Sequence, residues 1–304
     1  GREQNPERFR QDFKQYIWQH CIEPDTFYVG YRGIKVTELK GYLKVQERVQ
    51  QMLDNETLRE TIAEMLPYVP FKQQVQQTFD SAGALFKNIF LVLQLLWGTL
   101  THFLYLVFIK PGQLRARGVP KINYITPPPK AADEYNADME DLVSQNQMTV
   151  ITKSKQGRAI PLKLVLSFIN AAAKYLFNEG SLSNIATIHF ARWIIIDDGT
   201  HLLFESNYDS TWESYIGDFV DKVSNGMNAI WRHSVDFPET VGFIDTQHGC
   251  KDVEDFKTYI RQNQIQAQVF YSAYPQHTVR NLLAAIHIGK SLYQQDVVKW
   301  LSRF

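Results

Sequence analysis

The sequence predicts an α+β protein. A ferredoxin-like C-terminal domain (residues 145–304) follows a helical N-terminal region (1–80), a hydrophobic helix (81–120) and a Pro-rich, acidic linker (121–144). Three observations carry this reading. Two strand-like runs within Thr187–Tyr208 meet at Asp198-Gly199, a strong hairpin signal. From His201 onward the pattern reads strand, helix, strand, strand, helix, strand, the order of a split β-α-β unit used twice. Between Asn88 and Ile109 no residue carries a formal charge, and apolar residues occur all the way round the helix.

In chain order, the first 80 residues read as mostly polar and helical, with an irregular portion from Glu23-Pro24 to Gly33. From Val36 to Met65, Leu39, Leu43, Val49, Leu53, Leu58, Ile62 and Met65 recur at helical steps. Such a stripe packs on a neighbouring element or docks a partner. The charge-free stretch matches the about 20 residues that cross a bilayer. It reads as a span, as a segment lying in one leaflet, or as a buried helix. If it spans, the basic cluster Lys110, Arg115, Arg117 and Lys121 after it places the C-terminal domain in the cytoplasm. Lys110-Pro111-Gly112 is expected to break the helix, and Pro127-Pro128-Pro129 to form a stiff linker.

In the last domain a helix is expected from Leu162 to Phe177, stopped by Asn178-Glu179-Gly180. The hairpin follows, with paired residue numbers summing to 397, so that Arg192 faces Glu205 and His189 faces Tyr208. Thr187, His189, Ala191, Trp193 and Ile195 share one face of the first strand, and Ile188, Phe190, Arg192, Ile194 and Ile196 the other. Both faces are largely apolar, as in an internal strand covered on both sides. Ser210-x-x-Glu213 reads as a capping box for a helix closed by Asn225-Gly226. Strands are then expected near Ala229–His233, Val241–Ile244 and Gln268–Tyr274, with a helix over Asp252–Gln262 between the last two. A terminal helix from Thr278 turns Val279, Leu282, Leu283 and Ile286 inward.

Thirty-two basic residues balance thirty-two acidic ones, so no basic excess points to nucleic acid. Two distant cysteines, Cys21 and Cys250, form neither a disulfide framework nor a Cys-rich zinc site. No phosphate loop, dinucleotide fingerprint or serine-hydrolase elbow occurs.

Several segments together resemble a bacterial family related to the dimeric α+β barrel proteins, the superfamily of dye-decolourising peroxidases and chlorite dismutases. They are Gln145–Thr149, the helix from Leu162, Asn184–Trp193, Leu202–Asp209 and Tyr271–Pro275. The resemblance covers residues 145 to about 290. It implies a ferredoxin-like barrel that pairs as a homodimer, a peroxidase- or catalase-like partner, and haem as a cofactor. The chain departs from that family's pattern at Ser183-Asn184 and Ser210, and the acid-and-glycine haem signature is not seen, since Asp197-Asp198-Gly199 is the hairpin turn.

Haem needs an axial side chain, an apolar pocket and often an Arg beside it. The candidates are His189, Arg192, Tyr208, His277 and His287. His189 and Arg192 share a pocket only if a bulge intervenes, and His189 is read first as a hydrogen-bonded core histidine beside Tyr208, with the haem ligand as the alternative. His102 reads as a packing or interfacial residue. His248-Gly249-Cys250, with Asp245 and Asp252 nearby, reads as a solvated turn. The expectation is thus a membrane-associated protein that binds membrane lipid and takes a hydrophobic ligand, haem or an oxidised lipid, in a peroxidase-like or lipid-oxidation role. The alternative is a non-enzymatic, membrane-anchored module that docks a partner through its sheet.

Overall fold

The structure is a computed structural model, and it describes residues 6–54, 81–125, 144–176, 182, 185–240, 248–267 and 269–293. It is an α+β fold around a five-stranded, fully antiparallel sheet. The strands are β1 (Thr26–Val29), β2 (Gln145–Lys153), β3 (Ile188–Ile196), β4 (His201–Asp209) and β5 (Gln264–Ile265). Across the sheet they run β1-β3-β4-β2-β5. The helices are α1 (Pro6–His20), α2 (Val36–Leu53), α3 (Ser81–Leu104), α4 (Lys110–Ala116), α5 (Ala159–Tyr175), α6 (Trp212–Trp231), α7 (Val253–Asn263) and α8 (Val279–Tyr293).

The hairpin has the expected register. Phe190↔Asn207, Arg192↔Glu205 and Ile196↔His201 all pair as the turn position requires. The connecting loop is wider than Asp198-Gly199, because Asp197 and Asp198 also take positive φ (51° and 56°) and Ile196↔His201 is the last pair. Gly199 sits at φ +94°, and a Cβ there would lie 2.8 Å from the Cβ of Ala159 at the start of α5. Gly199→Val therefore combines a forbidden backbone angle with a steric clash. It is expected to cost about 2 kcal/mol or more in a denaturant titration, whereas an unchanged midpoint would show that the loop relaxes freely.

At its far end the hairpin departs from the simple count. A bulge between Ile188 and Phe190 pairs Ile188 with Tyr208 and leaves His189 out of the ladder, so His189 does not face Tyr208. Bulges re-aim a side chain in this way. Ile188 joins Ala191 and Trp193 in the main core, which α5, α6 and α7 cover with Leu162, Trp212, Phe219 and Phe256. The opposite face is covered in parts. Tyr31, Leu39, Leu282 and Ile286 pack at the Phe190 end, while Ile22, Tyr124 and Ile265 pack around Ile194 and Ile196. Between them Arg192 stays half exposed beside Glu205, so β3 is internal but not covered along its whole outer face.

Several boundaries move for physical reasons. The irregular portion before Gly33 contains β1, whose Thr26 Oγ1 donates to Leu166 O (2.7 Å). The N-terminal region thus supplies an edge strand of the same sheet, and α2 packs on α8. Lys110-Pro111 does not break its helix. The turn Tyr105–Ile109 widens, with Lys110 N–H donating to Tyr105 O, and the wider turn carries the chain past the proline into α4. The cap of α6 is Thr211, whose side chain accepts from Ser214 N–H, because Ser210 takes positive φ (77°). That helix kinks at Val223 and continues to Trp231, so Ala229–His233 is not a strand. Its apolar residues, Met227, Ile230 and Trp231, are buried at helical spacing. The strand expected over Gln268–Tyr274 is replaced by two-residue β5 and irregular backbone, which leaves Val269 and Tyr271 exposed. The expected strand at 241–244, the stop at 178–180, the Pro-rich linker and the second half of the 36–65 helix lie outside the described residues.

Candidate functional site

Helix α3 and the turn after it form a long apolar surface. The helical run Asn88–Ala116 is long and apolar enough to cross a membrane, and almost none of it is buried. Its two sides differ. Gly98, His102, Leu106 and Lys110 face the body: a Cβ at Gly98 would lie 2.8 Å from the Tyr175 ring, and His102 Nδ1 is hydrogen-bonded to Ser167 Oγ (3.1 Å). The helix thus runs antiparallel to α5, and His102 has the packing role. The other side turns Leu93, Leu96, Trp97, Leu100, Leu104 and Phe108 outward, with Trp97 and Phe108 about 70% exposed (67% and 72%). On α5, Ile160, Leu164 and Phe168 are each about half exposed, opposite the Leu162 and Leu166 side chains that enter the core.

Where the apolar surface ends, a cavity of about 450 Å³ opens. Its walls come from the end of the helical run (Leu106, Lys110, Leu114, Arg115), the Val119–Ile122 segment, Lys163 of α5 and the β3 end from Ile195 to Gly199. Lys110 and Asp25 form a buried ion pair here (2.7 Å; side chains 6% and 2% exposed). Lys110 also donates to Glu23 O (2.6 Å), and Asp25 Oδ2 accepts the Ile195 N–H (2.5 Å). Lys121 is paired with Asp198 at the rim. Asp197 accepts the backbone N–H groups of Asn123 (2.9 Å) and Tyr124 (2.8 Å). Burial pushes the Asp197 carboxyl up, but those N–H donors, with His201 beside it, bring it below the usual carboxylate value. Arg115 and Lys163 have no ion pair among the described residues. Burial, together with nearby Lys110, depresses the Lys163 amine, partly offset by Asp25.

A separate polar cluster surrounds His189. Its Nε2 lies 2.7 Å from Asp209 Oδ1 and its Nδ1 3.4 Å from the Tyr31 hydroxyl, which in turn meets the Tyr274 hydroxyl at 2.5 Å. Asp209 Oδ2 accepts the Val279 N–H at the start of α8 (2.8 Å). Burial, then the Tyr274 hydrogen bond, pushes the Tyr31 hydroxyl well above its ordinary pKa. Gln145 donates to the carbonyls of Tyr274 (3.0 Å) and His277 (2.6 Å). The cluster ties the segment after β1, the β3–β4 pair and the C-terminal segment into one network.

The five residues expected at a haem site are therefore spread out. His189 is 1% exposed with both ring nitrogens engaged. Arg192 lies on the outer sheet face with Glu205. Tyr208 stacks on Tyr215 in the main core (3.9 Å between ring centres). His277 sits in the turn held by Gln145, and His287 is on the exposed side of α8. They do not converge on one apolar pocket with a free axial nitrogen, so they do not fit haem. Among the described residues no three His, Cys, Asp or Glu side chains are grouped to hold a metal ion. In the turn at His248-Gly249-Cys250, expected to be solvated, His248 is exposed but Gly249 and Cys250 are buried. Asn228 donates to His248 O (3.0 Å) and accepts the Cys250 N–H (2.8 Å), and burial raises the Cys250 thiol pKa.

Sequence reasoning missed Asp25, Lys163 and the pairing of Lys110. Lys110 is the first charge after a long uncharged stretch, a signal that invites a search for its partner. Asp25 lies 85 residues away and offers no matching signal. Compared with models of protein families, with curated proteins and with solved structures, the chain matches none.

Proposed function

We propose that this protein works on a membrane surface, with α3 lying in the plane of one leaflet and the α+β body holding an amphiphilic ligand beside it. The observation that carries the reading is topological. β1 precedes the charge-free helix and β3 follows it, yet the two are hydrogen-bonded neighbours in one sheet. A single crossing would put them on opposite sides of a bilayer. Residues 55–80 contain Glu56, Arg59, Glu60, Glu64, Lys72 and Asp80, and no apolar run approaching the about 20 residues that a second crossing needs. An in-plane helix removes the conflict: its body-facing side packs on α5, and its outward side enters the acyl boundary. Helix α1 carries a second exposed apolar surface. Phe9, Phe13, Tyr16 and Ile17 form an exposed apolar stripe among Arg8, Arg10 and Lys14. Its Trp18 ring lies 5.1 Å beneath the Arg117 guanidinium, near the end of α4.

The body itself supports a ferredoxin-like reading. Taken as β2-α5-β3-β4-α6-α7-β5, the strands stand in the order β5-β2-β4-β3, with β1 added at the edge. That is the split β-α-β order, starting at Gln145 and not at His201. The lipid remains the hydrophobic ligand of this reading. Haem is left aside because the five candidates lie apart: His189 has both ring nitrogens engaged, Arg192 is paired with Glu205 on the outer sheet face, Tyr208 stacks on Tyr215 in the core, and His287 is on the exposed side of α8.

Cysteine labelling tests the topology. Cys21 is exposed and precedes α3, and Glu254, also exposed, follows it. In sealed vesicles carrying Glu254→Cys protein, a membrane-impermeant maleimide is expected to reach both thiols from the same side. Labelling of one thiol only after permeabilisation would mean that α3 crosses, and the in-plane reading would fall.

A further inference from the structure

We propose that the cavity at the end of the apolar helix is a binding site for the phosphate headgroup of an anionic glycerophospholipid, with Lys163 and Arg115 as the cations that hold it. The proposal rests on the membrane-surface reading and deepens it. Four cations and three carboxylates line the space, and most of them are already satisfied. Lys110 is held by Asp25, Lys121 by Asp198, and Asp197 by backbone N–H groups. The two cations left without an ion pair among the described residues, Lys163 and Arg115, come from different helices and border the same space.

Two cations facing a shared cavity favour an anion, and a guanidinium with an ammonium suits phosphate oxygens in particular. The remaining walls are apolar: Leu106, Leu114, Ile122 and Ile195. A purely ionic ligand would leave that surface unused, whereas a headgroup with its glycerol and first methylenes uses both parts. The volume of about 450 Å³ lies in the range of small-molecule sites. Position gives the source. Lys110 directly follows Ile109, the last residue of the charge-free stretch, so the cavity begins where the membrane-facing surface becomes basic. An in-plane helix keeps that point at headgroup depth. Free phosphate shares the charge chemistry but lacks the apolar part.

The test uses the full chain and separates these sources. Soluble dihexanoyl phosphatidic acid, dihexanoyl phosphatidylcholine and inorganic phosphate are each titrated by calorimetry, and flotation on neutral phosphatidylcholine vesicles is measured in parallel. The phosphatidic acid is expected to bind at least about tenfold more tightly than either of the others. Lys163→Gln with Arg115→Gln is expected to erase that preference and leave flotation on neutral vesicles unchanged. Ile122→Trp fills the cavity without changing its charge and is expected to weaken the same titration. Equal affinity for inorganic phosphate, or a preference that survives either variant, would overturn the headgroup site. Lost flotation with an intact phosphatidic acid preference would count against the in-plane helix alone and support the cavity's ligand.

Discussion

Placing arginine at Leu93 and Leu96 is expected to release the protein from membranes while leaving its fold intact. Both side chains face outward from α3, 57% and 62% exposed, so neither is needed for packing on the body. Each leucine contributes about 1–2 kcal/mol of apolar transfer when its exposed part enters the acyl boundary. Losing two and adding two charges corresponds to at least a hundredfold weaker partition, on the order of 3 kcal/mol or more. Vesicle flotation reads the partition, and thermal unfolding reads the fold, where exposed substitutions usually move stability by no more than about 0.5 kcal/mol. The choice of positions comes from the structure. Leu95 is equally apolar in sequence but sits on the partly covered side of the helix, so charging it would disturb packing on α5 and confuse the two readouts. Retention of the double variant on vesicles would move the attachment elsewhere.

The second large effect is expected at Lys110→Met. The Lys110–Asp25 pair is nearly solvent-free and joins three parts of the chain: the segment before β1, the helix after the widened turn, and β3 through the Ile195 N–H. Removing one partner strands the Asp25 carboxylate in a site where solvent cannot compensate it. Such a break costs about 3–5 kcal/mol. Adding Asp25→Asn to Lys110→Met removes the stranded charge and keeps an oxygen for Ile195 N–H, so part of the loss is expected to return. Denaturant titrations of the wild type, both single variants and the double variant form a cycle. A coupling energy near zero would show that the pair does not hold these parts together.

Much of the body was legible in the sequence because local rules governed it. The Asp198-Gly199 region set the β3–β4 register, and the spacing of Val279, Leu282 and Ile286 set the inward side of α8. The misreadings cluster where a neighbour overrules a local signal. Gly226 does not end α6, because Met227, Ile230 and Trp231 bury themselves against the sheet and α7. Pro111 does not end the apolar helix, because a single wide turn absorbs the missing N–H. The His189 site was half legible. Its burial could be read, but a one-residue bulge decided that its partners would be Asp209 and Tyr31 in place of Tyr208.

By itself the sequence determined that this is an α+β chain with one hairpin of known register and one uncharged apolar helix, because turn chemistry and side-chain periodicity act over a few residues. Only the tertiary structure decided that the segment before that helix joins the sheet after it, which side of the helix stays outward, and that Asp25, Lys110, Arg115 and Lys163 border one cavity. Those contacts join residues far apart in the chain, and their partners are selected by the geometry of the assembled core, which no local pattern encodes.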